Sequence, residues 1–146
     1  MQNVLRHMPT AARLFLGLAF LVFGLNGFFN FIPLPEHAGG AGAFLGALGA
    51  AGYMFPLIKG TEVVVGLMLL SNRAVPLALT LLAPVMVNIV LFHAAFEPAS
   101  LGMPIALLSG QLYLAWAYRE AFAGVLSVRA EPIAPHIAAP RHLAST

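Results

Sequence analysis

Few residues in this sequence could do chemistry, and most of them are polar side chains set inside apolar runs. Asn26 and Asn30 are four apart in the first run, a spacing that puts both on one face of a helix. Lys59 and Glu62 are three apart in the second, close enough on a helix to form an ion pair. The third run carries Asn88 and His93, and the fourth carries Ser109 and Gln111. If lipid surrounds these runs, each polar group has a cost. A carboxylate at the centre of a span costs roughly 2.5–3.5 kcal/mol on insertion scales, whereas Asn, Gln and Ser often serve as interhelical glue worth about 0.6–2 kcal/mol. Glu62 therefore needs a partner or a proton, and Lys59 is the nearest cation. A pocket acid and a structural ion pair are both open to it.

Other chemistries are poorly provided for. His93 and Glu97 are four apart, and Glu36 and His37 adjoin, but these residues form no recognised ligand set, so no metal is expected. There is no phosphate-cradling loop, nucleophile elbow or haem-attachment motif. Cysteine is absent, which excludes disulfides, thiolate metal sites and an intrinsic thiol relay.

The composition says what must position these groups. Charged residues make up 8% of the chain and hydrophobic residues 60%, against about 25% charged in an ordinary soluble domain. A soluble core of 146 residues could not hide that much apolar surface. The expected fold is all-α, an integral membrane antiparallel four-helix bundle. A bilayer core of about 30 Å needs roughly 20 apolar residues in a helix, and four candidate spans follow: residues 11–32, 55–71, 75–96 and 101–120. The first outlasts the roughly 7–15 residue core of a cleaved signal peptide. Pro33 and Pro35 end it, Pro76 and Pro104 suit first turns, and Pro84 bends the third span. Residues 43–53, rich in Ala and Gly, form either a short extra helix on the outer side or the first half of a kinked second span. Residues 1–10 are an N-terminal segment, 11–122 the membrane domain, and 123–146 a disordered tail rich in proline and small residues.

Charge gives the orientation. Four crossings put Arg6, Arg13, Arg73, Arg119, Arg129 and Arg141 on one side and Lys59 towards the other. Basic residues stay in the cytoplasm during insertion, so both termini and the Asn72–Arg73 turn are expected to be cytoplasmic, in a cell inner membrane. The pI of about 9.5 is then a topology signal, and no nucleic-acid partner is expected. At about 1.5 Å per residue, Asn26 lies roughly 9 Å below the outer end of its helix, Glu62 and Asn88 about 12 Å and Gln111 about 15 Å. Shared depth predicts one polar layer, a pocket in the outer half lined by Asn26, Asn30, Lys59, Glu62, Asn88, His93 and Gln111. Asn88 and His93, five apart, share a face only if the helix bends or frays.

The segments GLNGFFNFIP at 24–33, KGTEVVVGLMLLSNRAVPLAL at 59–79 and APVMVNIVLFH at 83–93 together resemble the DoxX family of small four-helix bacterial membrane proteins, over about residues 10–122. The resemblance implies the four-helix fold and, by analogy, places Glu62, Asn88 and His93 at family-like positions. The family takes its name from a small subunit of a thiosulfate:quinone oxidoreductase, so it implies a quinone as ligand and a membrane or periplasmic redox partner. Animal relatives look like chaperones or cargo receptors. Three functions are expected, in this order: a small membrane subunit of a redox or quinone-linked system, a non-catalytic membrane chaperone or scaffold, and a small-solute or proton transporter. The inner half of the bundle has too few polar groups to favour the transporter.

Overall fold

The computed structural model describes residues 2–33, 36–124 and 127. Among these the chain is all-α, with five helices: α1 (Gln2–Phe29), α2 (Gly39–Ala50), α3 (Met54–Leu70), α4 (Val75–Phe96) and α5 (Gly102–Ala117). Short 3-10 turns at Pro98–Ser100 and Arg119–Phe122 flank α5. The expected tail, 123–146, lies outside the described residues apart from Ala123, Gly124 and Ser127.

Helix ends follow local chemistry. α1 starts nine residues before the expected span and stops at Phe29, three residues short of it. It stops because Asn30 takes a left-handed conformation, φ 50°, which Asn tolerates better than most residues. α3 ends in a Schellman turn with Asn72 as the left-handed residue, φ 56°. There Arg73 N–H donates to Met68 O (3.0 Å) and Asn72 N–H to Leu69 O (3.2 Å), the two bonds that define this cap. α4 then begins at Val75 with Pro76 in its first turn.

Four helices share the core. Leu16 and Phe20 of α1 meet Val65 and Leu69 of α3, Ala78, Leu79, Leu82 and Met86 of α4, and Leu107 and Leu114 of α5. The α1–α3 pair is antiparallel and packed at backbone distance. A side chain at Gly17 would abut Leu69 and Leu70, one at Gly24 would meet Glu62 and Val63, and one at Gly27 would strike the Lys59 stem. Gly66 on α3 reciprocates, since a Cβ there would stand 2.6 Å from the Leu21 backbone nitrogen and 2.9 Å from the Gly17 carbonyl oxygen. Small residues of this kind let apolar helices approach closely.

Of the residues expected at 43–53, those up to Ala50 lie in a helix, α2, which meets α3 at a 91° bend. Its fit to the end of α4 is aromatic. Phe44 lies 5.7 Å from Phe92 and 5.9 Å from Phe96, ring centre to ring centre, and Gly40 leaves room for the Phe96 ring. Among the described residues, His7–Phe29 of α1 and the whole of α4 are long and apolar enough to cross a bilayer, and α2 with α3 would make a third span if the bent pair counts as one. At 16 residues, α5 is shorter than the roughly 20 needed to span.

The Gly66 contact yields a direct test. Gly66→Ala should destabilise the protein by about 1–3 kcal/mol, because the atoms in the way are backbone and cannot turn aside. Gly60→Ala, on the same helix with nothing within 4 Å of its new Cβ, should change stability by less than about 1 kcal/mol. Thermal unfolding of both variants in detergent, followed by helical circular dichroism, checks the contrast.

Candidate functional site

The α1–α3 seam carries the charged groups. Glycine at 27 lets the aliphatic stem of Lys59 lie across α1, and its ammonium turns back along α3 to Glu62. Lys59 Nζ donates to both carboxylate oxygens, at 3.1 Å to Oε1 and 2.9 Å to Oε2. Glu62 is 3% exposed and Lys59 21%, so the acid is enclosed while its partner reaches an opening.

Asn26 is buried at the same level of α1 but is turned away from the glycine seam by helical phase, and both ends of its amide are spent on one residue. Its Nδ2 donates to Ile32 O (3.1 Å), and Ile32 N–H donates to its Oδ1 (2.6 Å). Asn26 thus clamps the chain where it leaves α1. Asn30 is exposed, and its role is the backbone turn, with its N–H donating to Asn26 O (2.9 Å).

The polar layer expected from depth does not assemble. Gln111 is buried on α5, but it donates to Leu79 O (3.1 Å), four residues from the start of α4, near the α3–α4 turn. Glu62 instead packs beside Gly24, five residues from the far end of α1. The Gln111 Oε1 is buried without a partner. Asn88 is exposed: it stands two residues beyond Met86, a core position, and is therefore about 200° away around the helix. Ser109 is exposed too and bonds back to Ile105 O (2.8 Å). Depth along each helix was a fair guide to level only for Asn26, Lys59 and Glu62. Helical phase turns Asn88 outwards, whereas Gln111 faces the core and is separated by level.

His93 is half-buried at the α2 end. Its Nδ1 donates to Ile89 O (2.7 Å), and its ring meets Phe92 edge-on at 5.4 Å. Glu97 pairs with His37, not with His93 one turn away, and so ties the segment before α2 to the end of α4. The His37 ring also sits edge-on to Phe92, at 5.9 Å. Among the described residues no three His, Cys, Asp or Glu side chains come together as a metal site.

Reading depth alone also missed Arg13. It is buried, and its guanidinium donates to the carbonyls of Leu69 and Leu70 at the end of α3. With the Schellman bonds, this satisfies the carbonyls that a helix end leaves open, and it sets a cation at the negative end of the helix dipole. The available signal was a lone arginine already inside an apolar run.

A groove on the outside, lined by Pro56, Leu57, Gly60, Thr61 and Val64 of α3 and Leu81 of α4, lies on the opposite side of α3 from Lys59 and Glu62. Gly60 and Thr61 are neighbours of the pair in sequence but turn away from it by helical phase. A quinone held in this groove could not reach the ion pair with its head group, and the Thr61 hydroxyl is already bonded to Leu57 O (2.8 Å). This groove therefore does not bring a quinone to Lys59 and Glu62.

These elements define a small all-α protein whose longest helices have membrane-spanning character, knit by an ion pair at a glycine-lined seam. The chain belongs to the DoxX family, whose model matches residues 8–95. It is also similar to Uncharacterized protein YwoB of Bacillus subtilis (strain 168), at 33% identity over 138 residues that cover 89% of this chain and 88% of that protein. No solved structure matches it.

If the pair holds the seam, its loss has a signature. Glu62→Gln leaves a lysine unmatched beside α1 and should lower stability by about 1–3 kcal/mol, below the full value for a buried pair because Lys59 can reach solvent. Lys59→Met combined with Glu62→Gln should recover most of the loss. Thermal midpoints of the three proteins in one detergent decide it, and additive losses in the double variant would show that the two residues act separately.

Proposed function

We propose that this protein is an integral membrane protein whose α1, α3, α4 and α5 form an antiparallel four-helix bundle, with α2 lying on the outer face. It serves as a small membrane subunit that acts by association, as in a redox-linked assembly whose chemistry resides in a membrane or periplasmic partner. The observation that carries this reading is how the polar groups among the helices are spent. Arg13, Asn26, Lys59 and Glu62 satisfy one another or the backbone, and the outside groove is on the wrong face of α3 to join them. The redox setting comes from the family resemblance alone.

One observation favours a second reading, in which Glu62 is a working acid. Its partner Lys59 is 21% exposed while Glu62 itself is 3% exposed, so a ligand or proton arriving from the α2 end would meet the lysine first. The Lys59→Met, Glu62→Gln double variant separates the two. A stably folded double variant that restores the phenotype of a deletion strain supports the associating subunit. Normal folding with lost complementation supports the working acid.

Orientation is testable on its own. The chain has no native cysteine, so single cysteines at His37, Asn72 and Ser100 report cleanly. An impermeant maleimide applied to intact cells should label positions 37 and 100 and spare 72 until the membrane is opened. Labelling of Asn72→Cys in intact cells would reverse the orientation.

A further inference from the structure

On the membrane reading above, the outward face of α4 presents a problem that the chain does not solve by itself. Hydroxyls on the exposed helix faces fold back onto their own helices: Thr61 bonds Leu57 O, Thr80 bonds Pro76 O (2.9 Å) and Ser109 bonds Ile105 O. Asn88 is exposed as well, yet among the described residues its carboxamide makes no hydrogen bond. It lies within the most apolar of the described spans, of mean hydropathy 2.3, where an amide facing lipid has nothing to bind.

The residues around it have a definite order. Leu77, Leu81, Pro84, Asn88, Leu91 and Ala95 are all exposed and are spaced alternately four and three apart. That is the a/d spacing of a helix that packs on another helix along a seam, and it falls on the side of α4 away from Leu82 and Met86. In this register Leu81, Asn88 and Ala95 occupy a positions and Leu77, Pro84 and Leu91 d positions. A single asparagine at an a position is the residue that fixes register and favours a parallel pair of helices.

We infer that the protein forms a two-fold dimer through α4, with Asn88 of one copy bonded to Asn88 of the other. A carboxamide carries both donors and acceptors, so it complements itself, and a two-fold axis makes the exchange reciprocal. Two copies inserted in the same orientation always bring residue 88 to the same depth. A different protein would have to supply a polar group at that level, whereas a second copy supplies it necessarily. The groove bordered by Leu81 adjoins the seam and gives the partner's flanking side chains a place to lie.

Cysteine scanning of the full-length chain in native membranes tests the inference. Under oxidant, single cysteines at Leu81, Asn88 and Leu91 should give disulfide-linked dimers, while Ala83→Cys, Ala94→Cys and Leu112→Cys, exposed elsewhere, should remain monomeric. In vesicles, Asn88→Leu should weaken association on the order of threefold to tenfold by energy transfer between labelled copies, and Asn88→Gln should retain most of it. Cross-linking without this periodicity, an unchanged dimer fraction in Asn88→Leu, or capture of a different protein in place of a second copy would each overturn the dimer. Extraction of the protein by alkaline carbonate would instead overturn the membrane reading beneath it, so the two failures are told apart.

Discussion

The close approach of α1 and α3 is the constraint on which the other features depend. At Gly66 the two backbones come so near that a methyl group would strike the Leu21 nitrogen and the Gly17 oxygen. In an apolar solvent the hydrophobic effect does not press helices together, and van der Waals contact at short range takes its place. The seam then dictates what can lie along it. Gly24 leaves space for the Glu62 stem and Gly27 for the Lys59 stem, so the ion pair exists where it does because α1 has no side chains there. The same approach brings Arg13 to the end of α3, where it binds the last two carbonyls.

One rule accounts for most of the polar side chains: each is matched to a specific group, and often that group is backbone. Asn26 closes a two-bond clamp on Ile32, Arg13 caps α3, and Gln111 reaches across to α4 at Leu79. Leu79 is one residue before Thr80, whose carbonyl loses its helical donor because Pro84 has no N–H. Such bonds are worth little in water but more where no solvent competes. They serve register as much as stability, since an amide that must meet one particular carbonyl allows a single sliding position between two helices. The aromatic cluster of Phe44, Phe92 and Phe96 does similar work at the α2 end, where the His37–Glu97 pair fastens the incoming segment.

Much of the helical plan was legible because apolar runs and their punctuation are local properties. Pro76, Pro104 and the Ser71–Arg73 turn marked boundaries within a residue or two. The Lys59–Glu62 pair was legible for the same reason, being an i, i+3 contact on one helix. The supposed common layer was not, because distance from a helix end says nothing about direction, as at Asn88, and fixes a common height only where neighbouring helix ends are level, which Gln111 beside Leu79 shows they are not. Applying 100° per residue to the core run Ala78, Leu82, Met86 turns Asn88 outwards at once, but that run is recognisable as core only after the packing is known. The pairing of His37 with Glu97 depends on how a loop folds back on a residue 60 positions along the chain, and no local pattern carries it. The Asn26 clamp lay between these cases: its turn at Asn30 was hidden because the apolar run continues unbroken through Phe31 and Ile32.

Helix α3 shows how so small a bundle keeps its functions apart. One face meets α1 and holds the Lys59–Glu62 pair, and the opposite face is apolar and open, with Gly60 and Thr61 among its lining residues. α4 is divided in the same way, its core face filled by Leu79, Leu82 and Met86 and its outward face carrying Asn88. Charge placed in the seam contributes to holding the helices but is shielded from whatever lies outside. What this chain offers to other molecules is therefore set by its outward faces. Those faces can vary without disturbing the seam, because none of their side chains enters the α1–α3 contact. A change at Gly24 or Gly66 has no such freedom, since the atoms it would strike include backbone of the facing helix.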